Sequence, residues 1–101
     1  MAGKTFQLRC TSEQAEALAL ALETFARAAY PPGGSECAQV ASETLRDSAR
    51  LIRENAADAA GAELRRRQRV LLKSGITWYF SLDGAGDPQR QQEMLALFDK
   101  P

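Results

Sequence analysis

The stretch Ala62-Glu63-Leu64-Arg65-Arg66-Arg67-Gln68-Arg69-Val70-Leu71-Leu72-Lys73-Ser74-Gly75-Ile76-Thr77-Trp78-Tyr79-Phe80 decides what kind of fold this chain adopts. Its first part has strong helix propensity, because Ala, Glu, Leu, Arg and Gln lose little side-chain freedom in a helix. Its second part alternates, with Ile76, Trp78, Phe80 and Leu82 on one side and Thr77, Tyr79 and Ser81 on the other, and it is rich in β-branched and aromatic residues. The reading is therefore a helix ending at Ser74-Gly75, followed by a strand over Ile76 to Leu82. A hairpin about Lys73-Ser74-Gly75, with Gln68–Lys73 as a further strand, is the alternative for the first part.

Working outward, Thr5 to Cys10 has Phe6, Leu8 and Cys10 pointing one way and Thr5, Gln7 and Arg9 the other, the pattern of a half-buried strand. Thr11 and Gln14 stand three apart before an apolar run, as in a capping box. A helix is expected from about Ser12 to Ala29, with Ala15, Leu18, Leu22, Phe25 and Ala29 on one stripe and Glu13, Glu16, Glu23 and Arg27 opposite. Leu20 falls within that charged face. Tyr30-Pro31-Pro32-Gly33-Gly34 ends this helix. A second helix is expected from a Ser35 cap to about Ala60. Its inward face is Cys37, Ala38, Ala41, Leu45, Ser48, Ile52, Ala56 and Ala59. Glu36, Glu43, Asp47, Arg50 and Glu54 face outward. Gly61 is a natural break, because a continued helix turns Leu64 and Leu71 about 100° off the Leu45–Ile52 stripe. Asp83-Gly84-Ala85-Gly86 reads as a turn. Asp87 and Pro88 open a last helix, with Met94, Leu95, Leu97 and Phe98 on its apolar side.

These elements predict an α+β fold in one domain over residues 1–101. A helical hairpin and a C-terminal helix pack on a small antiparallel sheet of two or three strands, built from Thr5–Cys10, Ile76–Leu82 and, as a third strand, Gln68–Lys73.

Composition narrows the function classes. The chain of 101 residues is 45% apolar and 26% charged, with 13 basic and 13 acidic side chains and zero formal net charge. The absent basic excess speaks against a dedicated nucleic-acid binder, whose affinity comes largely from phosphate neutralisation. Near-zero charge favours association. With no histidine, the commonest general base and metal ligand is missing. No metal, cofactor or catalytic residue is expected. Cys10 and Cys37 read as small core residues, although Cys37 lies in the first turn of a helix, where a thiol pKa falls. No leader is expected at the start of the sequence and no run is apolar enough for a membrane, so a reducing cytoplasm is the expected setting. The abundance of alanine and arginine is that of a GC-rich bacterial or phage gene.

Two features invite a binding role. Arg65, Arg66, Arg67 and Arg69, with Lys73, form the densest charge run, and in a helix Arg66, Arg69 and Lys73 share a side. They read as a solvated face pairing with nearby acids, or as contacts to a nucleic-acid backbone. Leu20 and Tyr79, on outer faces, are candidate partner contacts. A protein partner or self-association is expected, with nucleic acid as the alternative.

The order strand, helix, turn, helix resembles a ribbon-helix-helix DNA-binding dimer over roughly the first half of the chain. That resemblance implies that Thr5, Gln7 and Arg9 meet base edges and that the helix opening at Gly34-Ser35 holds a phosphate. The first helix and the Pro-Pro-Gly-Gly turn are longer than in that family, and the second half has no counterpart.

Overall fold

The computed structural model describes residues 4–82 and 87–99. Their order is β1 (Thr5–Leu8), α1 (Ser12–Ala29), α2 (Glu36–Asn55), β2 (Ala62–Arg65), a short 3-10 turn (Arg66–Gln68), α3 (Arg69–Phe80) and α4 (Pro88–Asp99). The helices pack on a two-stranded antiparallel sheet, so the α+β class holds.

α1 has the expected boundaries. Thr11 Oγ1 accepts from the Gln14 amide at 3.1 Å, and Gln14 Oε1 accepts from the Thr11 amide at 3.0 Å, closing the capping box. Ser35 caps α2 by accepting from the Ala38 amide. α2 stops at Asn55, short of the expected Ala60. The carbonyl of Ala56, which a longer helix would use internally, accepts instead from the Cys10 amide at 3.0 Å. The chain then turns at Gly61, where φ is +74°.

That turn overrides the helix propensity of the next residues. Ala62-Glu63-Leu64-Arg65 becomes β2 and pairs with β1 in the register Thr5↔Arg65, Phe6↔Leu64, Gln7↔Glu63 and Leu8↔Ala62. Phe6, Leu8, Ala62 and Leu64 are buried, and the residues between them are exposed. The expected helix through residues 62–68 is thus replaced by a strand and a 3-10 turn, and there is no strand at Gln68–Lys73.

The expected strand over Ile76 to Leu82 is also overturned: residues through Phe80 complete α3. Ile76 and Phe80 stand four apart, a spacing that satisfies both a strand face and a helix face, and both are buried. Leu72 and Gly75 join them on the helical face. Trp78 does not share that face. It is half-buried, its ring centroid 5.5 Å from that of Phe25. Gly75 marks a close helix crossing where a turn was expected. A Cβ built there would lie 3.0 Å from Phe25 Cδ2 and 3.2 Å from Leu22 Cδ2.

α1 therefore packs between α2 and α3. On the α2 side Arg53 spans two turns of α1. Its Nε and Nη2 donate to Glu16 at 2.8 and 2.9 Å, and Nη1 and Nη2 donate to Glu23 at 3.0 and 3.1 Å. The hydrogen bonds from Arg53 hold the Glu16 carboxyl below its ordinary pKa. α4 opens with Asp87 Oδ1 accepting from the amides of Gln89 and Arg90, as its sequence predicts. It buries Met94, Leu97 and Phe98. The turn expected at Asp83-Gly84-Ala85-Gly86 lies outside the described residues.

Two glycine substitutions test this packing. Gly61→Ala places a Cβ 2.7 Å from the Leu8 carbonyl oxygen at a positive φ and should cost about 2 kcal/mol. Gly75→Val overfills the α1–α3 crossing and should cost about 1–3 kcal/mol, although valine is no worse than glycine as a helix former. Urea denaturation reads both. A neutral Gly75→Val would show that the two helices do not pack this closely.

Candidate functional site

The arginine run does not form one helical stripe, because a strand end, a 3-10 turn and a helix start divide it. Arg65 ends β2, Arg66 and Arg67 lie in the turn, and Arg69 begins α3. Lys73 lies one helical turn further on, where its Nζ donates to Asp99 at 2.8 and 2.9 Å and pins α3 to α4. The expected grouping of Arg66, Arg69 and Lys73 is therefore broken by an ion pair.

Two members of the run converge with a third arginine from the other end of the sheet. Arg66, Arg69 and Arg9 line one groove of about 490 Å³. Thr5, Phe6 and Gln7 of β1 supply one side of it, and Leu97 of α4 contributes an apolar patch. No acidic side chain lines it among the described residues. In a chain with as many acids as bases, such a one-signed groove is a local segregation of charge.

Arg69 is the best-defined of the three. Its guanidinium carbon lies 4.5 Å from the centroid of the Phe6 ring, a cation–π contact. Its Nε is buried without a hydrogen-bond partner among the described residues. An unsatisfied buried donor is costly. Phe6 is in turn fixed from behind by Phe98, with centroids 6.3 Å apart. Arg9 and Arg66 are exposed.

The remaining sequence candidates lie elsewhere. Arg65 lines a separate recess with Glu63 and Asp47, so its surroundings are of mixed sign. Arg67 is exposed outside both grooves. Leu20 is 45% exposed, as expected, on the face of α1 that carries Glu16 and Glu23. Tyr79 is not on the outer side of a strand. It is half-buried on α3, edge-on to Phe80 at 5.2 Å between centroids. Thr5, Gln7 and Arg9 do project outward, but β1 pairs with β2 of its own chain, whereas the ribbon-helix-helix arrangement pairs it with a second copy. Glu63 stands opposite Gln7, which puts a carboxylate on the ribbon's outer face. The groove was missed in the sequence because Arg9 is more than fifty positions from Arg66. Only the folded chain places them at the two ends of one groove.

Both cysteines are free. Cys37 is exposed, contrary to its expected place in the core, as are the residues before it from Pro31 on. Cys10 is half-buried, and burial pushes its thiol pKa up. Among the described residues no three or more of Cys, Asp and Glu cluster as metal ligands. No helix there is long and apolar enough to cross a membrane. Comparison of the chain with protein-family models, with curated proteins and with solved structures gave no match.

A thiol-alkylating reagent at neutral pH should modify Cys37 well before Cys10. Cys10 combines restricted access with a raised pKa, so less of it is thiolate. Mass spectrometry of the partly labelled protein checks the order. Equal rates would mean that Cys10 is as open as Cys37.

Proposed function

We propose that this protein is a small binding module without catalytic activity, and that it holds an anionic segment of a partner in the arginine-walled groove beside β1. One observation carries the reading: Arg9, Arg66 and Arg69 converge on a groove with no carboxylate among its described lining residues. Guanidinium groups bind carboxylates and phosphates through paired, charge-assisted hydrogen bonds. Stacking over the Phe6 ring holds the guanidinium of Arg69 in place along the groove. Among its described lining residues the groove offers guanidinium groups, a hydroxyl and an amide, but no side chain that takes up a proton near neutral pH. Such a lining suits recognition better than acid–base chemistry. The two free thiols fit a reducing, cytoplasmic setting.

Nucleic acid is the second reading, favoured by the exposure of Lys4, Arg65, Arg66 and Arg67 at the same end of the sheet. The two readings differ in which arginines matter. A partner seated in the groove depends on Arg9 and Arg66, whereas phosphate contacts follow the whole charged surface and spread to Arg65 and Arg67.

With poly-L-glutamate as probe, the double variant Arg9→Glu, Arg66→Glu should bind about tenfold more weakly or worse. Arg65→Glu with Arg67→Glu should stay within about twofold. Calorimetric titration gives both constants. Equal losses in the two pairs would remove the groove as the site.

A further inference from the structure

We infer that the partner segment is an extended acidic peptide, hydrogen-bonded along the open edge of β1 as a third strand. This rests on the groove reading above and goes further, naming the chemical class of the partner and its mode of binding.

The Arg66 amide donates to the Lys4 carbonyl at 2.9 Å, and the register pairs Thr5 with Arg65. In an antiparallel pair, hydrogen-bonded and non-hydrogen-bonded positions alternate. Since Lys4↔Arg66 is hydrogen-bonded, so are Phe6↔Leu64 and Leu8↔Ala62, while Thr5↔Arg65 and Gln7↔Glu63 are not. The main-chain N–H and C=O groups of Thr5 and Gln7 therefore point away from β2. Both residues are exposed, and no strand lies on that side of β1 among the described residues.

The groove follows this same edge. It is lined by consecutive β1 residues, Thr5, Phe6 and Gln7, and by none of the residues of β2. From Thr5 to Arg9 the edge runs roughly 13 Å, enough for one short strand. Arg9 stands toward one end, and Arg66 and Arg69 toward the other. Leu97 and Phe6 offer an apolar patch between them. A strand alternating carboxylate and aliphatic side chains matches both features, since successive side chains leave opposite faces.

The other occupants fit less well. Natural sheets guard open edges with charge. Here the guard is cationic, and pairing two copies of β1 about Gln7 sets Arg9 of one beside Thr5 of the other, crowding both sets of arginines with no acid between them. A nucleic-acid strand presents acceptors along its phosphates, which leaves the carbonyls of Thr5 and Gln7 unpaired. A peptide supplies donors and acceptors alternately, as this edge does.

The test uses the full chain and a fluorescent peptide alternating glutamate and valine, followed by anisotropy, with hydrogen exchange at the Thr5 and Gln7 amides as the second readout. Expected are saturable binding, at least about tenfold weaker when the peptide's main-chain amides are N-methylated, and slowed exchange at Thr5 and Gln7. Binding that ignores N-methylation and leaves those amides unprotected overturns strand addition but leaves the groove as an anion site. An oligothymidylate of equal charge that binds more tightly than the peptide overturns the inference in favour of nucleic acid. If neither binds, the groove reading falls as well.

Discussion

The close approach of α1 to its two helical neighbours is the constraint on which the rest of the structure depends. Ala19, Ala21 and Ala26 are fully buried along α1, and small side chains let helix axes come near. Gly75 does the same from the α3 side, where even one methyl group crowds Phe25 and Leu22. Because α3 must reach that position, its N-terminus is carried to the end of the sheet, and Arg69 is laid over Phe6. The groove is thus a consequence of how α1 is packed, two steps removed from any arginine.

The charges show how context sets the role of each side chain. Arg53 is spent on two carboxylates of α1 and closes the helical hairpin on its exposed side. Lys73 is neutralised by Asp99. Arg65 faces Glu63 and Asp47 across a recess of its own. Among the arginines that form no ion pair in the described residues, Arg9, Arg66 and Arg69 line one groove, so a chain of zero net charge still presents a one-signed groove. Surface pairs contribute little to stability; their consequence here is to decide which cations stay available.

The sheet is minimal, and that gives β1 a double role. One edge is satisfied by β2, with Phe6 and Leu8 turned into the core; the other remains open beside the groove. A two-stranded ribbon is marginal by itself and is held here by the helices beneath it.

By itself the sequence determined the features whose physics is local. The capping box at Thr11 and Gln14, the Ser35 and Asp87 caps, the boundaries of α1 and the break at Gly61 all depend on residues within a few positions of one another. So did the burial of Leu18, Leu22, Leu45 and Ile52, and the class of fold. Tertiary structure alone decided the region from 62 to 82. There Ala62-Glu63-Leu64-Arg65 has helix propensity, but a strand forms because β1 is waiting to pair with it. Ile76 to Phe80 has strand propensity, but a helix forms because Ile76 and Phe80 reach the core at either period and Gly75 must meet α1. Propensities differ by only about 1 kcal/mol per residue, which burial of one large side chain exceeds. The groove belongs to the second group for the same reason: its arginines line one surface only once β1, the turn after β2 and α3 have been packed together.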